Sequence, residues 1–302
     1  IKGSVGRKRS VSSRKDDLMT ASEIKEMIRA DELSYESALE RIAERVTRDG
    51  DIRFLFIAGG SCAGKTTTTL KLSGLIGGLG RRAHTVSLDD FYRDLRDCVY
   101  MPDGTRDIET LHSLRADMIT ASLERLAGGL PAYIPEFDFR AISRKDNARV
   151  ITPGKDDLVI VEGLHALNPV IIPKSLYEKN IYRVYLYSDP GGGSDSRFVR
   201  RLVRDARHRG HDAATTYAVW ENVRANERES IEPYRATADM SVNTFFGYER
   251  NVLNGDAVKL LEEIPSENGF YADARRSIEL LSGTEPIDAG FVPENSLLRE
   301  FM

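Results

Sequence analysis

The chain has 302 residues, 41% hydrophobic and 30% charged, with a formal net charge of −4. This is globular composition and excludes a fully disordered or collagen-like chain. The acidic balance argues against nucleic acid as a partner, and apolar runs such as Phe54 to Ala58 fall far short of the roughly 18 residues a membrane span needs.

Two cysteines, Cys62 and Cys98, cannot build a disulfide framework, and no Cys/His spacing suggests zinc. No secretory h-region opens the chain, so a reducing, cytoplasmic compartment is expected. A chain that begins with Ile1 rather than Met is expected to be a fragment or a processed form.

Residues 1–17 carry six basic and two acidic side chains and almost no apolar ones. Such a segment buries too little surface to offset its ordering entropy and reads as a flexible basic tail. Residues 18–50 read as a helical lead-in. Thr20-x-x-Glu23 has capping-box spacing ahead of Ile24, Met27 and Ile28, and a second helix is expected over Ser37 to Arg48, ended by Gly50.

From Arg53 the pattern alternates between strand and helix. Strands are expected at Phe54 to Ala58, His84 to Leu88, Val159 to Val161, Tyr182 to Tyr187 and Ala238 to Thr244. Helices are expected at Thr66 to Leu79 and along Leu111, Leu114, Met118 and Leu126. This order predicts an α/β domain over 51–250, a parallel sheet covered by helices on both faces. Residues 251–302 read as a C-terminal helical extension.

Between the first strand and the helix after it lies Gly59-Gly60-Ser61-Cys62-Ala63-Gly64-Lys65-Thr66, a complete G-x-x-x-x-G-K-[ST] phosphate loop, followed by Thr67. Its glycines let successive N–H groups turn toward one point, where the helix N-terminus adds partial positive charge. Lys65 is expected to reach the β- and γ-phosphates and the Thr66 hydroxyl to bind Mg²⁺. Cys62 sits within the loop, either as a small tolerated residue or as a thiol made reactive by the helix dipole.

Acids end two of the strands. Asp89 and Asp90 follow the second strand, where carboxylates face the ligand crevice of an open α/β sheet and one can accept a proton from an attacking hydroxyl; a helix cap is the alternative. Glu162 ends the apolar run Leu158 to Val161, as a Walker-B-type magnesium site requires. The densest charge cluster is Asp195 to Gly210, in which Arg197, Arg201 and Arg204 share one helical face. A solvated face, an RNA patch and a salt-bridged helix all fit that spacing.

Together these motifs resemble the uridine kinase and phosphoribulokinase group of P-loop kinases. Asp89-Asp90-Phe91-Tyr92 matches its Asp-x-Phe-Tyr signature, Val161-Glu162-Gly163 its magnesium strand, and residues 191–212 its arginine-rich lid. The resemblance implies ATP and Mg²⁺ as cofactors, with Asp89 as general base and Thr66, Glu162 and Asp89 around the metal. It implies Arg201 and Arg204 acting on the transferring phosphoryl group and Arg209 on the nucleotide. Tyr92, Asp107, Phe137, Arg197 and Arg201 are implied on the substrate side, Asp107 either holding ribose hydroxyls or capping a helix.

Pro135 to Arg144 resembles the group's pyrimidine-binding segment, with Phe137 and Ile142 where the group has Tyr and His. Phe291 to Phe301 resembles the end of a longer uridine-kinase-like branch, often preceded by a domain like one in threonyl-tRNA synthetases. The implied activity is ATP-dependent phosphorylation of a small-molecule hydroxyl, the 5′-hydroxyl of a nucleoside first, by a protein that commonly forms homo-oligomers. The alternatives are another alcohol, phosphoribulokinase-like or pantothenate-kinase-like, and a nucleotide-dependent RNA-binding module.

Overall fold

The computed structural model describes residues 20–101, 104, 106–176, 180–189 and 196–302. The expected basic tail at 1–17, and residues 191–195 of the expected lid, lie outside them.

The chain enters through α1, a single helix over Ala21–Arg48. Its capping box forms as the spacing predicts. The Thr20 hydroxyl accepts from the Glu23 N–H at 3.3 Å, and the Glu23 carboxylate accepts from the Thr20 N–H at 2.7 Å. The expected break before Ser37 is absent. No glycine or proline interrupts residues 31–36, and Ile28, Tyr35, Leu39, Ile42 and Val46 form one continuous buried stripe. The Tyr35 hydroxyl meets the Thr68 hydroxyl at 2.7 Å, tying α1 to α2 (Lys65–Gly78).

The main sheet has β1 (Phe54–Gly59), β2 (Ala83–Ser87), β5 (Leu158–Glu162), β6 (Ile181–Tyr187) and β7 (Met240–Asn243). Its order is β2-β5-β1-β6-β7, and every pairing is parallel. β1 and β5 are buried throughout, as expected of strands covered on both faces. Period-2 alternation divides β1 between two cores. Leu55 and Ile57 pack with Leu39, Ile42, Leu72 and Ile76 of α1 and α2. Phe54, Phe56 and Ala58 pack with Ile119, Leu123 and Leu126 of α3 (Ala116–Ala127).

α3 starts later than the expected helix. Leu111 lies in a 3₁₀ turn, Leu111–Ser113, and Leu114 is extended.

Between α3 and β5 the chain forms an antiparallel hairpin, β3 (Ala132–Asp138) and β4 (Ser143–Ile151), which the sequence pattern does not predict. Pro135 lies within β3, at a register shift between Ile134 and Glu136, where a proline is tolerated. β4 is mostly polar and exposed, so it carries no clear alternation.

After β6 come α4 (Arg197–Arg204), α5 (Ala213–Asn226), α6 (Glu249–Glu262) and α7 (Tyr271–Leu281). They share a third core of Leu202, Val203, Ala257, Leu261, Ala274 and Ile278. The 3₁₀ turn Leu297–Phe301 returns to the first core, where Leu297, Leu298 and Phe301 are fully buried.

Candidate active site

The carboxyl ends of β1, β2 and β5 converge on one cleft of about 920 Å³. β1 delivers the phosphate loop. Gly64 occupies the N-cap of α2 at φ +79°, a left-handed conformation that suits glycine, and a Cβ there would clash with the Leu297 side chain. Cys62 also has positive φ, +59°, and its thiol is free and buried. The Lys65 amine donates to the Gly60 carbonyl at 3.0 Å, curling over the loop it serves.

The strand-end acids stand where expected. Asp89 lies in the 3₁₀ turn Leu88–Phe91 after β2, its N–H donating to the Ser87 hydroxyl at 3.3 Å, and it lines the cleft. Glu162 accepts from the Ser87 hydroxyl at 2.7 Å and the Thr66 hydroxyl at 3.3 Å. Burial, and then the charge of Asp89, push the Glu162 carboxyl up to about 7, against the opposing pull of Lys65.

Two carboxylates and two hydroxyls form an all-oxygen donor set, which suits a hard cation such as Mg²⁺. The Asp89 charge that raises Glu162 is also what a divalent ion would relieve. No group of three or more His, Cys, Asp or Glu among the described residues could hold a metal alone.

The arginine cluster divides by depth. α4 runs into a π-helical turn, Asp205–Arg209, closed by Gly210 at φ +70°. Arg201 donates to the Ser61 hydroxyl at 3.1 Å and pairs with Glu109 at 3.3 Å and Asp205 at 3.2 Å. Arg204 pairs with Asp205 at 2.6 Å, and Arg209 lies over the Phe139 ring at 5.2 Å. All three line the cleft.

Arg200 is fully buried instead, paired with Glu249, donating to the Cys62 carbonyl at 3.2 Å and stacked on Phe301 at 5.2 Å. Arg197 does not reach the cleft, contrary to the expected substrate contact. It pairs with Glu227 at 2.7 Å behind the phosphate loop, beside a separate hollow with Tyr185 and Tyr187.

Asp107 is a second correction. Its carboxylate accepts from the N–H groups of Glu109 (3.1 Å) and Thr110 (2.9 Å) and from the Thr110 hydroxyl, and it does not line the cleft. It closes an Asx turn in this loop, and the N-cap of the 3₁₀ turn that follows is Thr110. The cleft acid from this loop is Glu109, two residues on. Its backbone carbonyl accepts from Asn226 at 2.8 Å and contacts a ring nitrogen of buried His165 at 2.9 Å. Burial raises the Glu109 carboxyl, with Arg201 acting against it.

Glu227 is a further group the sequence pattern does not reveal, accepting the Ser61 N–H at 2.6 Å. Thr67, expected on the nucleotide, donates its hydroxyl to Glu300 at 2.6 Å.

The opposite wall is aromatic. Tyr92, Phe137 and Phe139 form a cluster with ring centroids 5.0 to 5.5 Å apart. The Tyr92 hydroxyl is taken up by the Ile108 carbonyl at 2.8 Å, so Tyr92 offers the cleft its ring. Ile142, at φ +50°, and Arg144 complete this side.

Residues 54–246 match the model of the phosphoribulokinase/uridine kinase family. The match covers more than half the chain, and the chain belongs to that family. It is an ATP-dependent kinase that phosphorylates an alcohol group. It is similar to the uridine kinase of Deinococcus deserti, 29% identical over 62% of this chain and 84% of that protein. It is also similar to the uridine kinase of Halobacterium salinarum, 26% identical over 68% of this chain and 84% of that protein. A possible uridine kinase from Bacillus stearothermophilus overlays with a TM-score of 0.48 at 15% identity, covering 69% of this chain and 98% of that chain.

Proposed function

We propose that the chain transfers the γ-phosphoryl group of ATP to the 5′-hydroxyl of a nucleoside, with Mg²⁺ as cofactor. The observation that carries this reading is the position of Asp89, between the phosphate loop and the aromatic wall of Tyr92, Phe137 and Phe139. A flat base stacks on that wall, and its ribose hydroxyl then lies on the side of Asp89.

Asp89 takes the hydroxyl proton as the oxygen attacks the γ-phosphorus, and the bond from that phosphorus to the leaving ADP oxygen breaks in line. Lys65, Arg201 and Arg204 neutralise the charge spreading over the phosphoryl oxygens. Thr66, Glu162 and Asp89 would hold Mg²⁺, which supplies further charge neutralisation when bound. A cytoplasmic place and a role in nucleoside salvage follow from that activity; the two free cysteines fit a reducing compartment. No helix among the described residues is long and apolar enough to cross a membrane.

A second acceptor has an observation of its own. Ile142 offers no hydrogen bond to a pyrimidine edge. Arg106 lines the cleft, and its buried Nη1 has no hydrogen-bond partner among the described residues. The first argues against a pyrimidine, and the second favours an alcohol that carries a negative charge. The test is ATP consumption with Mg²⁺ against nucleosides, pantothenate and sugar phosphates, with products identified by mass. A nucleoside monophosphate is expected; turnover only with an anionic alcohol would transfer the assignment to the second acceptor.

A further inference from the structure

The family match ends at residue 246, yet a later segment sits on the phosphate loop. The turn Leu297–Phe301 lays the Leu297 side chain against Gly64 and buries Phe301 beneath the Arg200 guanidinium. Between them, Glu300 faces the cleft and accepts the Thr67 hydroxyl at 2.6 Å.

Thr67 is the third residue of α2, counted from the Gly64 N-cap. The N–H groups of Lys65, Thr66 and Thr67 have no acceptor within the helix, and in a phosphate loop these groups receive the phosphates. A carboxylate bonded to the Thr67 side chain therefore stands in the field that the nucleotide's phosphates require. The helix dipole that would attract a phosphate stabilises Glu300 instead. Arg204, also on the cleft, lies within electrostatic range of Glu300.

We propose that Glu300 is a built-in competitor for the nucleotide phosphates, so that the turn Leu297–Phe301 sets the affinity of the site for ATP. Binding requires the Glu300 carboxylate to release the Thr67 hydroxyl. Until it does, two negative charges contend for one helix N-terminus. The inference rests on the phosphate loop binding a nucleoside triphosphate. It adds an element from outside the matched region to the nucleotide site.

The test is Glu300→Gln, which keeps the size of the side chain and an oxygen that accepts from Thr67, and removes the charge. Dissociation constants for ATP and for adenosine are measured on the whole chain by calorimetry, with thermal melting to confirm that both proteins are folded. ATP is expected to bind the variant roughly 10-fold tighter, with adenosine unchanged because it has no phosphate. Equal ATP affinity in both proteins would overturn the proposal and leave Glu300 a packing residue. Weaker ATP binding by the variant would overturn it too, by making the carboxylate a favourable contact. An unchanged ATP affinity alongside normal turnover removes this inference alone. Failure of both proteins to bind ATP or to turn over removes the kinase reading with it.

Discussion

Arg200 and Glu249 form an ion pair at the back of the phosphate loop, with side chains 0% and 2% exposed. The same guanidinium donates to the Cys62 carbonyl at 3.2 Å, so α4, α6 and the loop share one charge. A buried pair contributes little net stability compared with an apolar replacement, but an orphaned half is costly. Arg200→Ala is therefore expected to destabilise the fold by about 3–5 kcal/mol. Arg207→Ala, which breaks the half-exposed pair with Asp256, should cost about 1 kcal/mol or less. Denaturant melts of the two variants check the contrast; equal losses would deny Arg200 its role as a strut.

Asp89→Asn leaves the loop and Lys65 intact. ATP binding is expected to persist while phosphoryl transfer falls by on the order of 10²-fold or more. Near-normal turnover would remove Asp89 as the base.

Glu109 and the Ser61 hydroxyl share the Arg201 guanidinium, at 3.3 Å and 3.1 Å. Glu109→Gln loosens the guanidinium without touching the nucleotide cradle. The expected result is a fall in kcat of roughly 10- to 100-fold with KM for ATP little changed. A rise in KM alone would place Glu109 in ground-state binding.

Glu162→Gln removes one of the two charges around the hydroxyls of Thr66 and Ser87. The Mg²⁺ concentration for half-maximal activity should rise by about 10- to 100-fold, measured by titration at fixed, saturating ATP. An unchanged requirement would move the metal away from Glu162.

What the sequence makes legible here is local. Gly59 to Thr66, Asp89 and Glu162 each announce themselves through neighbours: an apolar run, then a residue type that only a few chemistries need at a strand end. The hairpin β3–β4 stays hidden because its second strand is mostly exposed and polar, with no alternation to follow. Asp107 and Glu109 lie two residues apart on one turn, and spacing does not tell which carboxylate is absorbed by backbone N–H groups. Glu227 and Glu300 are further removed, 166 and 233 residues from their partners Ser61 and Thr67. No pattern short of the folded topology brings them together. The arginines of α4 show the same limit, since helical spacing groups Arg197 with Arg201, yet Arg201 lines the cleft and Arg197 the separate hollow with Tyr185 and Tyr187.

The phosphate loop is clamped by α4 through Cys62, by Glu227 after α5 through Ser61, and by Leu297 over Gly64. The clamps come from the later part of the chain, while the loop lies in its first quarter. During synthesis, the segment around residue 60 must therefore emerge and wait. At about 5–20 residues per second, the 237 residues from Lys65 through Phe301 take on the order of 10 to 50 seconds. For that interval the loop's cover is unmade, and until Tyr187 the strand neighbours of β1 are still arriving too. A nascent chain that stalls before residue 297 would carry the complete nucleotide motif without the turn that closes over it.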